Sequence, residues 1–223
     1  MTVQVKICGI TSSDDACVAA QAGADFIGVI VEINESPRSV PRETARRIIS
    51  AVTAPVVLVV EKNHAEAVQM AEELHPFAIQ LIGSTPYVEI EHLKTRIACR
   101  LWKTVQIPPP EHPNSHFSDL EEQINRYHAA GVDLVVLDTL VRCNGVVKKG
   151  GTGQTCDWQM AKKLIAGAPL PVFLAGGINP ANVRAAIAAV HPQGVDVSSG
   201  VELSPGKKDP QKMVELIKVV HAG

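Results

Sequence analysis

Short, almost continuous apolar runs alternate along the chain with longer segments in which apolar residues recur at helical spacing. Eight runs read as strands, at positions 3–7, 25–31, 55–60, 77–81, 99–105, 133–138, 171–175 and 195–198. Because they lack the strict apolar–polar alternation of a half-exposed sheet, they are typical of parallel strands buried on both faces. The alternation predicts an α/β fold, a parallel eight-stranded (β/α)8 TIM barrel, with a doubly wound open sheet as the alternative.

Capping residues indicate where several of the intervening helices begin. Asn63 opens a variant capping box, Asp157 precedes an apolar helical stripe, and Asn179-Pro180 reads as the N-cap and first residue of another helix. A last helix is predicted from about Pro210, with four apolar residues on one face: Met213, Leu216, Ile217 and Val220.

No linker divides the chain. The segment 107–117 (IPPPEHPNSHF) is the nearest candidate, but strand and helix patterns continue on both sides, so it is predicted to be a long loop at the catalytic rim. The length of 223 residues is ordinary for one α/β barrel. We therefore expect a single (β/α)8 barrel domain over residues 1–223.

Two strand ends run directly into turns rich in glycine and serine, VFLAGGINPANV (172–183) and GVDVSSGVE (194–202). Glycine allows positive φ and close backbone approach, and free N–H groups at such turns and at helix starts bind anions. Many (β/α)8 barrels hold a phosphate in the loops after strands 7 and 8. The pattern predicts a phosphate clamp formed by Gly176, Gly177, Ser198, Ser199 and Gly200.

A third glycine-rich turn, GGTG at 150–153, follows the sixth predicted strand. It is either a simple tight turn or a further part of the clamp, through Gly151, Thr152 and Gly153. It is not a nucleotide-binding P-loop, because no Lys-Ser/Thr pair follows the glycines.

Three reactive or charged residues lie where the catalytic mouth of such a barrel is expected, at the C-terminal ends of strands. Cys8 ends the first strand, Asp138 ends the sixth, and Arg38 follows the second. Each also has a structural interpretation: a small buried hydrophobe for Cys8, a loop cap for Asp138 and a solvated charge for Arg38. As functional groups, they would be a thiolate, a carboxylic acid of raised pKa and an anion-binding guanidinium.

Composition narrows the class of protein. The formal net charge of −2 gives no basic footprint for nucleic acid, and no apolar run approaches the length of a membrane span. The five cysteines form no C-x-x-C pair, so neither a disulfide framework nor a zinc site is indicated, and Pro113 argues against a helical metal pair of His112 and His116. We expect a cytoplasmic protein without a metal, a nucleic-acid partner or a membrane partner.

Seven motifs, in order and in register over almost the full chain, closely resemble the phosphoribosylanthranilate isomerase family of tryptophan biosynthesis. They are VKICGIT, AGADFIGVI, SPRSV, LVVLD, GGTGQTCDW, LAGGINPANV and GVDVSSGVE with the following PGKKD. The resemblance implies a cofactor-free Amadori rearrangement of N-(5′-phosphoribosyl)anthranilate, a phosphorylated aminosugar, to 1-(2-carboxyphenylamino)-1-deoxyribulose 5-phosphate. It also implies roles: Cys8 as general base, Asp138 as general acid, Arg38 on the anthranilate carboxylate, and the three turns on the phosphate. We expect a monomer or a homodimer.

The chain departs from the family pattern at two neighbouring strand ends. Ile82 stands where the family usually has a histidine, and the run before Arg38 is VEINE instead of aromatic and lysine residues. These changes leave two alternatives open: a paralogous isomerase acting on a different aminosugar phosphate, and a non-catalytic barrel that binds a phosphorylated ligand. Retention of both Cys8 and Asp138 favours the isomerase, because a binding protein needs neither.

Overall fold

The computed structural model describes residues 2–61, 64–107, 117–143, 146–149 and 157–222. Within these ranges the strands are β1 (Gln4–Ile7), β2 (Phe26–Val31), β3 (Ser39–Val40), β4 (Val56–Val60), β5 (Ala78–Leu81), β6 (Arg100–Ile107), β7 (Leu134–Cys143), β8 (Val146–Lys149), β9 (Val172–Leu174), β10 (Gly194–Val197), β11 (Glu202–Ser204) and β12 (Lys207–Lys208). The helices are α1 (Ser13–Gln21), α2 (Arg42–Ala51), α3 (His64–Leu74), α4 (Tyr87–Arg96), α5 (Phe117–Ala129), α6 (Trp158–Gly167), α7 (Val183–Val190) and α8 (Pro210–His221).

Eight of the strands in these ranges form a closed parallel barrel, in the order β1, β10, β9, β7, β6, β5, β4, β2. The barrel closes at β1, where Lys6 lies opposite Asp196 of β10 on one side and Phe26 of β2 on the other. The predicted (β/α)8 barrel is therefore confirmed. The alternative of an open doubly wound sheet is wrong, because its two edge strands would not pair.

Some segments outside the eight predicted strands are also part of a sheet. β3 pairs with β2 beyond the barrel, and β7 continues past Asp138 to Cys143, where it pairs antiparallel with β8. A further small hairpin joins β11 to β12 just after the second glycine and serine turn. All three additions lie beyond the C-terminal ends of barrel strands, which is the end that carries the predicted site.

The helix starts agree with the sequence in two cases and differ in one. Asp157 caps α6 by accepting from Gln159 N and Met160 N, and α8 begins at Pro210 as predicted. The start predicted at Asn179-Pro180 is wrong, because α7 begins at Val183. The Asn179 side chain instead accepts two N–H groups of a tight turn that precedes the helix. The cap predicted at Asn63 lies outside the described residues.

The barrel interior is apolar at one end and polar at the other. Towards the N-terminal ends of the strands, the Trp102 ring packs against Phe26 and Phe173, with centroid separations of 5.1 and 5.5 Å. Strand register places a second set of inward positions nearer the C-terminal ends. That set carries polar side chains: Lys6, Cys8, Gln80, Thr104, Asp138 and Asp196. The polar end is the mouth at which barrel enzymes carry out their chemistry.

Candidate active site

Cys8 follows β1 immediately and stands at the barrel mouth. Its backbone N–H donates to Val197 O at 2.8 Å, which continues the β1–β10 ladder, and its side chain is buried. The facing residue is Gly28, where a Cβ would lie 2.9 Å from both Cys8 Sγ and Lys6 Cε. The side chains of Cys8 and Lys6 therefore both pack against the backbone of Gly28, which has no side chain to separate them.

A buried ion pair lies directly beside this thiol. The ammonium of Lys6 donates to both carboxylate oxygens of Asp196 at 3.0 Å, and both side chains are buried. Burial raises the pKa of the Cys8 thiol; Lys6 opposes this effect, Asp196 adds to it, and Lys208 opposes it. The thiol form of Cys8 is therefore favoured, and Lys6 is the main group that favours the thiolate.

Asp138 ends the inward run of β7, opposite Gln106 of β6. Its Oδ1 accepts the N–H of Thr139 at 2.8 Å, which holds the carboxyl group close to the backbone. Burial raises the pKa of Asp138 to about 6, and the charge of Asp196 adds to the shift while Thr139 and Lys6 oppose it. A carboxyl group of this pKa can hold and deliver a proton near neutral pH. The ion pair of Lys6 and Asp196 thus acts on both predicted catalytic groups.

The first predicted phosphate turn adopts the backbone that its glycines allow. Gly176 has φ +85° and Gly177 φ +66°, and a Cβ at Gly176 would collide with Thr139 Oγ1 at 1.9 Å. Only glycine fits this position, because both the backbone angle and the close approach exclude a side chain. The turn is therefore held tightly against the residue that follows Asp138.

The second turn packs against the first. A Cβ at Gly200 would lie 1.9 Å from Ile178 O, so the Ser198–Gly200 backbone rests on the turn that follows β9. Among the described residues, no acceptor takes the backbone N–H of Gly177, Ser199 or Gly200. The structure thus brings these two turns together with donors available for an anion. The third turn, Gly151 to Gly153, lies outside the described residues.

Arg38 lies at the mouth beside Gly9, and its guanidinium is held by a residue that the sequence did not indicate. Its Nε and Nη2 donate to the two carboxylate oxygens of Glu202 at 2.8 and 2.7 Å. Its aliphatic stem covers Gly9, where a Cβ would lie 2.7 Å from Arg38 Cδ and 2.8 Å from Ser198 Oγ. The outer edge of the guanidinium, formed by Nη1 and the second N–H of Nη2, is the part left for a ligand.

Glu202 also pairs with a buried lysine. Lys208 donates from Nζ to Glu202 Oε1 at 2.9 Å and to Ser198 O at 3.1 Å. Burial opposes ionisation of Glu202, but the hydrogen bond from Arg38 and the charge of Lys208 outweigh it and lower the pKa of this carboxyl group. Glu202 is therefore a fixed anion that orients Arg38 and connects it to the Ser198 turn.

Ile82 follows β5, and its N–H donates to Val60 O at 3.0 Å. The next residue, Gly83, has φ +77°, and the buried ammonium of Lys103 donates to Gly83 O at 2.8 Å. Lys103 therefore fixes the turn that directly follows Ile82.

Sequence reasoning missed Lys6, Asp196 and Glu202. Lys6 and Asp196 each lie inside an apolar strand, two positions before a predicted site residue, and that spacing places both on the inner face of the barrel. A charged residue in a strand buried on both faces was therefore a usable signal. Glu202 had no such signal, because its partner Arg38 is 164 positions away.

The described ranges contain no cluster of histidine, cysteine, aspartate or glutamate side chains arranged to hold a metal ion. None of the helices in these ranges combines the length and the apolar composition that a membrane crossing requires.

Comparison with known proteins gives one consistent family. The family model for N-(5′-phosphoribosyl)anthranilate (PRA) isomerase matches residues 5–219. The chain is 36% identical over 222 residues to the N-(5′-phosphoribosyl)anthranilate isomerase of Methanocella arvoryzae, covering 98% of both chains.

Solved structures agree with this match. The chain superposes with a TM-score of 0.81 on monomers generated from the dimeric enzyme of Thermotoga maritima, at 33% identity, covering 99% of this chain and 100% of the other. It also superposes with a TM-score of 0.79, at 31% identity and the same coverage, on a phosphoribosyl anthranilate isomerase in complex with reduced 1-(o-carboxyphenylamino)-1-deoxyribulose 5-phosphate.

Proposed function

Because the chain belongs to the N-(5′-phosphoribosyl)anthranilate isomerase family, we propose that Cys8 is the general base and Asp138 the general acid of this isomerisation in tryptophan biosynthesis. The chain has the isomerase activity of this family, and the substrate of the chain is a small phosphorylated molecule. The observation that carries the residue assignment is that Cys8 and Asp138 face one barrel mouth and share the electrostatic influence of Lys6 and Asp196.

The first step opens the ribose ring. Asp138 gives its proton to the ring oxygen while the bond from that oxygen to C1′ breaks, and the nitrogen lone pair forms a protonated Schiff base with C1′. A carboxyl pKa of about 6 suits this step, because the group is a strong enough acid and still holds a proton in part of the molecules near neutral pH.

The second step moves hydrogen from C2′. The thiolate of Cys8 takes the C2′ proton, the electron pair becomes the C1′=C2′ bond, and the Schiff-base nitrogen becomes neutral. The resulting enolamine tautomerises when C1′ gains a proton and the C2′ hydroxyl loses one, which gives the ketone. Protons taken and given balance over the cycle, so these steps involve no net oxidation and no cofactor.

The productive protonation state is a minor one. The raised pKa of Cys8 favours a thiol, and Asp138 with a pKa of about 6 is mostly ionised at neutral pH. Catalysis needs the opposite pair, a thiolate and a carboxylic acid. The active fraction therefore depends on the difference between the two pKa values, so any group that lowers the pKa of Cys8 raises the rate.

The remaining site residues bind the two anionic ends of the substrate. The Gly176-Gly177 turn and the Ser198–Gly200 turn hold the phosphate through backbone N–H groups, as P-loops and other anion-binding turns do. Gly151, Thr152 and Gly153 are proposed as the third part of this clamp. Arg38 receives the anthranilate carboxylate on its outer edge, because Glu202 occupies its inner edge.

We further propose one domain over residues 1–223, located in the cytoplasm, as a monomer or a homodimer without a nucleic-acid or membrane partner. The dimeric enzyme of Thermotoga maritima, which is similar over 99% of this chain, supports the dimer as one of these two states.

A fluorescence assay tests the residue roles. Loss of N-(5′-phosphoribosyl)anthranilate fluorescence is followed with the purified protein and with Cys8→Ala and Asp138→Asn. We expect turnover by the parent protein and a fall of at least about a hundredfold in each variant, the scale of removing an acid or a base. Parent-like turnover by either variant would remove that residue from the mechanism. Binding of the substrate without turnover by the parent would instead support a binding protein, and turnover of another aminosugar phosphate alone would support a paralogue.

A further inference from the structure

Lys6 lies in an unusual place for a charged residue. Its side chain is fully buried on the inner face of β1, in register with Phe26 of the apolar layer. The carboxylate of Asp196 satisfies it through two contacts of 3.0 Å. A buried ion pair is often no more stable than an apolar pair of the same volume, so stability alone does not account for it.

The position of Lys6 beside Cys8 is a better explanation for a buried charge at this point of the barrel. Its Cε and the Sγ of Cys8 both pack closely against Gly28, where a Cβ would lie 2.9 Å from each of these two atoms. The ammonium is held by Asp196 beside the thiol, and its charge favours the ionised form of Cys8. A larger residue at Gly28 would push the two groups apart.

We propose that Lys6 is a positioning residue of the isomerisation: its ammonium, fixed by Asp196, stabilises the Cys8 thiolate and so sets the fraction of molecules that have an active base. This inference rests on the proposed role of Cys8. Lys6 itself exchanges no proton with the substrate.

The other cations near the thiol are engaged elsewhere, so Lys6 is the one that stabilises the thiolate. Lys208 is occupied by Glu202 and Ser198 O, and Arg38 is held by Glu202 through two hydrogen bonds. The charge of Asp196 disfavours the Cys8 thiolate. The same carboxylate anchors the Lys6 ammonium, whose charge favours the thiolate. Asp138, across the mouth, is coupled to the same pair.

Two variants that break the same ion pair separate this role from a purely structural one. The pKa of Cys8 is measured from the ultraviolet absorbance of its thiolate, as the difference between each protein and the same protein carrying Cys8→Ser. Lys6→Gln removes the cation and is expected to raise the pKa of Cys8 by at least about one unit. Asp196→Asn removes the opposing anion but keeps an amide oxygen that can accept from the Lys6 ammonium, so it is expected to lower the pKa of Cys8. If the ion pair were purely structural, the two variants would shift the pKa of Cys8 in the same direction or not at all. Either result overturns the proposal.

The activity of the same variants completes the test. Lys6→Gln is expected to lower kcat/KM by about tenfold for each unit of pKa increase and to move the alkaline limb of the pH profile upwards. Lys6→Arg, which keeps the charge, should recover most of the loss. A pKa shift without a matching loss of kcat/KM would overturn the positioning role. The thiol titration itself needs no turnover, so it remains decisive even if Cys8→Ala proves active and the proposed base is wrong.

A second pair of substitutions covers the case in which Lys6→Gln does not fold. Lys6→Met with Asp196→Leu replaces the ion pair by apolar side chains, an exchange that buried pairs often tolerate. Since Lys6 has the larger effect of the two on Cys8, the pKa of the thiol is expected to rise in the double variant as well, by less than in Lys6→Gln. An unchanged or lowered pKa there contradicts the proposal.

Discussion

Arg38 and Glu202 are joined at the barrel mouth by two parallel hydrogen bonds, Nε to Oε1 at 2.8 Å and Nη2 to Oε2 at 2.7 Å. The same carboxylate accepts from the buried ammonium of Lys208 at 2.9 Å. Glu202 therefore fixes the orientation of a proposed substrate-binding arginine and pairs with two cations at once. Its importance lies in the groups that it holds and not in direct contact with the substrate.

Glu202→Gln is expected to weaken both functions. The arginine loses its fixed orientation, so KM should rise by about tenfold while kcat changes less. Lys208 loses its carboxylate, and an uncompensated buried charge should lower the free energy of unfolding by about 3 kcal/mol. Steady-state kinetics and denaturant unfolding measure the two effects. Glu91→Gln, on the exposed face of α4, is the matched control and should change neither; an unchanged KM in Glu202→Gln would contradict the positioning of Arg38.

Asp138→Asn is expected to stabilise the protein while it removes activity. The pKa of Asp138 is raised from 3.8 to about 6, so the folded state holds this proton more tightly than the unfolded state does. Ionisation therefore costs the folded state about 3 kcal/mol above a pH of about 6, and the cost disappears as the pH falls to about 4. Asparagine avoids this cost and can still accept the Thr139 N–H.

Unfolding of the parent and of Asp138→Asn in denaturant at a series of pH values measures this difference. The variant should be the more stable protein at neutral pH, and the two should converge towards a pH of about 4. A difference that does not change with pH would show that Asp138 has an ordinary pKa.

Gly200→Ala is expected to disrupt the phosphate clamp. Its Cβ would lie 1.9 Å from Ile178 O, a backbone atom that can move only with the neighbouring turn. We expect KM to rise by at least about tenfold, the scale of losing a hydrogen bond to a charged group. Stabilisation of the protein against heat by inorganic phosphate should also be lost. Gly167→Ala is the matched control, since its Cβ would meet only the flexible Glu121 side chain at 3.1 Å, and it should bind phosphate as the parent does.

Ile82→His is expected to raise kcat/KM by up to about tenfold, the scale of one hydrogen bond to a charged group. Ile82 continues the inward spacing of Ala78 and Gln80, so an imidazole there would face the mouth. The turn that supports it is already fixed by Lys103. Ile82→Leu is the control and should leave kcat/KM unchanged. Equal activities of the His and Leu variants would show that this position does not limit catalysis.

Most of the barrel could be predicted because strands buried on both faces are nearly continuous apolar runs, and each of the eight runs overlaps a barrel strand. The extension of β7 to Cys143 and its pairing with β8 were missed, although Asn144-Gly145, which separates these strands in the sequence, is a strong hairpin signal. β3 spans only Ser39–Val40, too short for any pattern to reveal.

Site residues could be predicted where their role follows from their position along a strand. They could not be predicted where the role depends on contact between residues that are far apart in the sequence. The strand-end rule found Cys8 and Asp138, and glycine content found the turns at Gly176 and Gly200. Lys6 and Asp196 were predictable in the same way, because alternation along β1 and β10 places these two charged residues on the inner face of the barrel. The pairing of Glu202 with Arg38 arises only when the barrel closes and brings distant loops together.

Transfer of hydrogen from C2′ to water tests the central claim most directly. Substrate labelled with a hydrogen isotope at C2′ is incubated with the parent protein, Cys8→Ala and Asp138→Asn, and the isotope released to solvent or carried to C1′ is counted. The account predicts rapid C2′–H cleavage by the parent protein and a rate at least about a hundredfold lower with Cys8→Ala, even when an already ring-opened substrate analogue is supplied. With that ring-opened analogue, Asp138→Asn should retain C2′–H cleavage. Cleavage by Cys8→Ala at a rate close to that of the parent would contradict the assignment of Cys8 as the base.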